Sequence, residues 1–114
     1  MKPLIFAVFL LTSTIAYAYT DDQLADAIYK AEGGAKTKYP YGIVSIKTNG
    51  DVAYARQICL NTIRNNRKRF ANQCKYTDFI EFLGSKYCPI DCDNDNGTNQ
   101  YWIHNVKFFL EADN

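Results

Sequence analysis

The sequence has one histidine, one tryptophan, no Cys-x-x-Cys pair and almost no net charge. It contains no internal repeat, no low-complexity tract and no linker, which excludes solenoids and arrays and leaves a single domain. The one long apolar run, Leu4–Leu11, is too short for a stable membrane span. The four cysteines, with His104 far from them in the chain, lack the spacing of a zinc site. The charge of +1 says little by itself, and its distribution says more.

What is present begins with that apolar run. Lys2 precedes it and Ala16-Tyr17-Ala18 follows it, the layout of a cleaved secretory leader. The expectation is a signal peptide over 1–18, a domain over 19–114, and a secreted or periplasmic protein with no stable membrane anchor after cleavage. A chain of that size builds one modest core that profits from covalent support. Cys59, Cys74, Cys88 and Cys92, an even number in a small exported chain, read as two disulfides with three possible pairings.

Between Lys30 and Lys75 ten basic residues face only Glu32 and Asp51, whereas from Tyr76 onward seven acids face Lys86 and Lys107. A positive half suits an anionic partner, nucleic acid or acidic cell-wall polymer, and a solvated helix face is the plainer account of any such run taken alone.

The periodicity is helical. Thr20 and Gln23 form a capping box, Leu24, Ile28 and Ala31 share one face, and Gly33-Gly34 ends the helix. After a loop and a short apolar stretch at 42–46, extended at best, Asp51 caps a long helix over about 51–71. Val52, Ala55, Cys59, Ile63 and Phe70 line one side of it. Asp78 and Glu81 open a short helix, Phe79–Leu83, that Gly84 should stop. A polar loop leads to a last helix over about 99–111, with Trp102, Val106, Phe109 and Leu110 on one face. The fold class is mainly α, compact, with little or no sheet.

Of three candidate sites one fails on chemistry and two stay as minor readings. Asp91, Asp93 and Asp95 match the first positions of a calcium loop, but Asn96 stands where its glycine belongs and Trp102 where its bidentate glutamate belongs. His104 has no identifiable nucleophile as partner. The run Arg64–Arg69 lacks the interleaved aromatics of a nucleic-acid platform. No metal, no cofactor and no nucleic acid are therefore expected.

Glu32 is different. It closes the first helix at the margin of the buried stripe, four residues after Ile28. Partial burial and the negative end of the helix dipole both favour its protonated form. That moves its pKa toward the value a general acid needs near neutrality. A solvated helix end is the plainer account of such a residue.

The strings AEGG (31–34), YPYGIVSI (39–46), CLNTIRNNR (59–67), FLGSKYCP (82–89) and WIHNV (102–106) occur in this order. Together they resemble the small exported members of the soluble lytic transglycosylase and goose-type lysozyme family. The resemblance implies a lysozyme-like helical domain that cleaves peptidoglycan between N-acetylmuramic acid and N-acetylglucosamine. It implies Glu32 as the single acid/base, and Tyr41, Ser45, Tyr87 and Trp102 as substrate-binding residues. In that family the muramoyl C6 hydroxyl closes a 1,6-anhydro ring, so one carboxylate serves where glycosidases commonly use two. Ser45 stands where the family carries glutamine, and its AYNAG-type motif has no counterpart here; an aspartate of the 91–95 loop that positions water would make the enzyme a hydrolase. The resemblance also implies a Cys59–Cys88 bridge, with Cys74 and Cys92 as the second pair and Cys88–Cys92 as the alternative.

The expectation is thus a monomeric enzyme acting on peptidoglycan glycan strands. The alternatives are a catalytically inactive lysozyme-like binding or inhibitor module, and a secreted disulfide-stabilised effector.

Overall fold

The computed structural model describes residues 19–44, 46–87 and 98–113. Four helices carry it: α1 (Asp21–Ala31), α2 (Val52–Ala71), α3 (Phe79–Tyr87) and α4 (Thr98–Ala112). Two 3-10 turns, Gly34–Lys36 and Pro40–Gly42, lie between α1 and α2. Among the described residues there is no strand, so the protein is mainly α.

The helix starts follow local chemistry. Thr20 Oγ1 accepts from the Gln23 N–H at 3.1 Å while Gln23 Oε1 accepts from the Thr20 N–H at 2.8 Å, a complete capping box. Asp51 Oδ1 accepts from the Tyr54 N–H at 3.0 Å and starts α2. Asp78 Oδ1 accepts from the Glu81 N–H at 3.0 Å just before α3.

α1 is the central helix and packs chiefly on α4, then on α2, while α3 closes against α4. Leu24, Ala25, Ala27 and Ile28 of α1 meet Ala55, Cys59 and Ile63 of α2, Ile80 and Leu83 of α3, and Val106 and Leu110 of α4. Each large aliphatic side chain buried there contributes about 1.5–3 kcal/mol. A second, aromatic cluster of Phe70, Phe79, Phe82 and Tyr76 joins the end of α2 to α3.

Two sequence expectations need correction. Val52 is exposed rather than part of the core face of α2, because it opens the helix beyond the reach of α1. Gly84 does not stop α3, which continues to Tyr87. The glycine lies inside the helix because α4 crosses directly over it. Among the buried positions outside the expected faces is a polar one: Asn66 joins the inner face of α2, with its amide donating to Thr62 O at 2.9 Å.

Candidate active site

Glu32 is the residue on which α1 ends. Its N–H still donates to Ile28 O at 2.9 Å, and the chain then turns away through Gly33 and Gly34. It comes back at Tyr41 and Gly42, directly against the Glu32 side chain. A Cβ on Gly42 would lie 2.6 Å from Glu32 Cδ and 2.7 and 2.9 Å from the two carboxyl oxygens. Only glycine fits without displacing the carboxyl, and its φ of 70° favours glycine as well.

The preceding residue bears the strain of this approach. Tyr41 has φ 62°, a left-handed conformation that costs a non-glycine residue about 1–3 kcal/mol unless its surroundings hold it. Its ring is buried, packs on Tyr29 at 5.1 Å between centroids, and its hydroxyl accepts from Arg56 Nη1 at 3.3 Å. Arg56 is itself fixed by Asp26 at 2.7 Å and Asp22 at 3.1 Å, both on α1. α1 and α2 thereby clamp the loop that covers the carboxyl.

The other wall comes from α3 and α4. Trp102 stacks on Tyr87 with centroids 4.7 Å apart. Gly84 makes this approach feasible: a Cβ there would lie 2.7 Å from Ile103 Cγ1 and 3.2 Å from Trp102 Cε3. The Trp102 Nε1–H is sealed from solvent and closes no hydrogen bond of regular geometry. It is nevertheless near enough to Glu32 to favour the charged carboxylate. Burial acts more strongly in the opposite sense and raises the Glu32 pKa above its ordinary 4.5.

Behind the stacked pair, Cys59 Sγ and the Tyr87 hydroxyl share a hydrogen bond at 3.7 Å. Burial pushes the Cys59 thiol up to about 11, outweighing the pull of that hydrogen bond. Burial likewise raises the Tyr87 hydroxyl, with Cys59 adding to the effect. Both groups stay protonated at neutral pH, so Cys59 is not poised as a thiolate nucleophile. Glu32 is left as the titratable group of this cluster suited to moving a proton.

The fold therefore brings Glu32 and Trp102 together, with Tyr87 stacked on the indole. Tyr41 lies behind Gly42 with its hydroxyl turned to Arg56. Ser45 lies outside the described residues, as do Cys88, Cys92, Asp91, Asp93 and Asp95. Cys59 is a buried free thiol and Cys74 an exposed one; their expected partners, Cys88 and Cys92, fall outside the described residues. His104 is exposed on α4. Within Arg64–Arg69, Arg67 is committed to the fold: it binds Asp21 at 2.6 Å and Tyr19 O at 3.0 Å, and covers the Phe79 ring.

Sequence reasoning missed four contributors: Gly42 as the cradle of the carboxyl, Gly84 as the crossing point, Arg56 as the anchor of Tyr41, and Cys59 as the partner of Tyr87. Only the Tyr-Gly pair at 41–42, a plausible left-handed turn, carried a local signal.

No protein-family model, no curated protein and no solved structure matches the chain.

Proposed function

We propose that the protein is an exported glycosidase that cleaves the glycan strands of peptidoglycan, with Glu32 as its acid/base. The observation that carries this reading is the state of the Glu32 carboxyl. It is partly buried at a helix C-terminus, pressed against a backbone that has no Cβ, with a sealed indole N–H near it. Burial raises the pKa of this carboxyl, which is the direction a general acid needs to deliver a proton to a glycosidic oxygen.

In the mechanism that the family resemblance implies, Glu32 protonates the oxygen between N-acetylmuramic acid and N-acetylglucosamine. The C–O bond to the muramoyl C1 breaks, and the N-acetylglucosamine end leaves as the alcohol. The Glu32 carboxylate then takes the proton of the muramoyl C6 hydroxyl as that oxygen bonds to C1. Asp22 and Asp26 of the same helix are held by Arg56, which supports a mechanism run by one carboxylate. Trp102, stacked on Tyr87, stands near Glu32, and the resemblance assigns both rings to sugar binding.

The test is digestion of purified sacculi by wild type and Glu32→Gln, with the soluble products read by mass spectrometry. Anhydro-muropeptides from wild type alone support the anhydro-forming mechanism, and reducing ends from wild type alone support a hydrolase. The contact between Glu32 and Gly42 favours one second reading, in which the glutamate is a peg that holds the loop of an inactive wall-binding module. That reading expects sacculi to bind both proteins and to release nothing.

A further inference from the structure

The loop between α1 and α2 combines two features. From Gly33 to Gly50 it carries Lys36, Lys38 and Lys47 and no acidic residue. None of these lysines has an ion-pair partner among the described residues. Most acids of the neighbouring helices are engaged: Asp21 with Arg67, Asp22 and Asp26 with Arg56, Asp113 with Lys30, and Asp78 and Glu81 with Lys107. Asp51, just past the loop, caps α2 through the Tyr54 N–H, so the loop itself carries three lysines and no acid.

The same loop exposes apolar surface. Val44 is 68 % exposed, Tyr39 48 % and Ile46 43 %, and Val52 and Tyr54 continue the exposure into the first turn of α2. Among the described residues, five of the seven large exposed hydrophobics thus fall between positions 39 and 54. A solvated loop has no use for such a concentration.

The loop is also held in place. Pro40, Tyr41 and Thr48 are buried, Gly42 rests on Glu32, and Asp51 caps α2. Side chains presented from an anchored backbone lose little entropy on docking.

We propose that this loop docks the protein on an anionic lipid surface, with Val44 and Ile46 entering the headgroup region and Lys36, Lys38 and Lys47 facing the lipid charges. Valine and isoleucine favour lipid over a glycan strand. They neither hydrogen-bond nor stack on sugar rings, and their transfer is favourable only into an apolar phase. Unpaired lysines beside apolar and tyrosine side chains are the composition of an interfacial membrane contact. The proposal does not rest on the glycosidase reading. Among the described residues no helix is long and apolar enough to cross a membrane.

The test is co-sedimentation of the full chain with phosphatidylcholine vesicles, with and without phosphatidylglycerol. Wild type is compared with Val44→Ser/Ile46→Ser and with Lys36→Glu/Lys38→Glu/Lys47→Glu, thermal melts confirming that each folds. Wild type should bind the phosphatidylglycerol vesicles, less so as salt rises, and each variant should bind about tenfold or more weakly. Equal sedimentation of all three proteins overturns the proposal, because the residues before Tyr19 are common to them and would then account for the binding. Failure of wild type to bind overturns it too. If the lysine variant loses binding to purified sacculi while vesicle binding is unchanged, the loop is a wall-contact surface and the lipid assignment is wrong.

Discussion

The two ends of α1 are built on opposite terms. At its N-terminus every local rule is obeyed: a reciprocal capping box at Thr20 and Gln23, acids in the first turn, and both acids paired with arginines of α2. At its C-terminus Lys30 and the left-handed Gly33 follow the usual pattern, and Glu32 between them breaks it. An anion sits at the negative pole, it is partly buried, and the chain that covers it passes through a left-handed tyrosine. The first end fixes where the helix begins. The second stores unfavourable free energy that the rest of the fold must offset, which is the pattern expected where local stability has been traded for chemistry.

The largest effect that tests this contrast is on catalysis. Glu32→Gln keeps the shape of the side chain and removes the proton, so sacculus cleavage should fall by about 10²–10⁴-fold. Undiminished cleavage would make the two ends of α1 alike in having only structural roles.

Next comes packing. Gly42→Ala places a methyl group within 2.9 Å of all three carboxyl heavy atoms and forces φ 70° on a residue with a Cβ. A loss of about 2–3 kcal/mol should appear in denaturant melts. Combined with Glu32→Ala, which removes the obstacle, part of that loss should vanish in a double-mutant cycle. Strict additivity would mean that the contact carries no energy. Gly84→Ala should cost about 1–2 kcal/mol, since Ile103 has to move and the gain in helix propensity offsets only part of that. At the well-behaved end, Thr20→Ala should cost about 1 kcal/mol and leave cleavage of sacculi unchanged.

The smallest effect concerns pH. Burial raises the folded pKa of Glu32, so the unfolded chain releases the proton first. Relative to Glu32→Gln, wild type should lose stability as pH rises from 4.5 through the folded pKa and level off above it. Asp78 gives the opposite sign. Burial acts to raise its pKa, but the Glu81 N–H and Lys107 outweigh it and bring the value below 3.8. Its stabilising contribution is therefore present above pH 3.8 and lost as pH falls through the lowered folded value, an acid limb that Asp78→Asn should remove. Thermal melts of the three proteins between about pH 2 and pH 8 separate the two limbs.

The four helices were legible in the sequence because their determinants are local. Capping residues and the spacing of Leu24, Ile28, Cys59 and Ile63 need no knowledge of the partner helix. Glu32 was legible for the same reason, as a carboxylate at the margin of an apolar stripe just before two glycines. What surrounds it was not. Gly42 lies ten residues away and Trp102 seventy, and nothing in the sequence at either position shows that it approaches the same carboxyl. Gly84 was misread because a glycine late in a short helix looks like a stop signal. Whether a helix passes through it depends on α4, whose closeness is a tertiary fact. Ser45 and the two cysteines of the 88–97 segment lie outside the described residues, so their expected roles are tested by experiment.

The empty space at Gly42 has a consequence for descent. A side chain at position 42 and a carboxyl at position 32 exclude one another, and the same holds between position 84 and the γ-branch at 103. Any lineage that acquires a larger residue at 42 must first lose Glu32 or let the loop lift off it. A larger residue at 42 should therefore occur only with the loss of Glu32 or with a displaced loop, and a collection of diverged sequences becomes a record of which members still hold a carboxyl at this place.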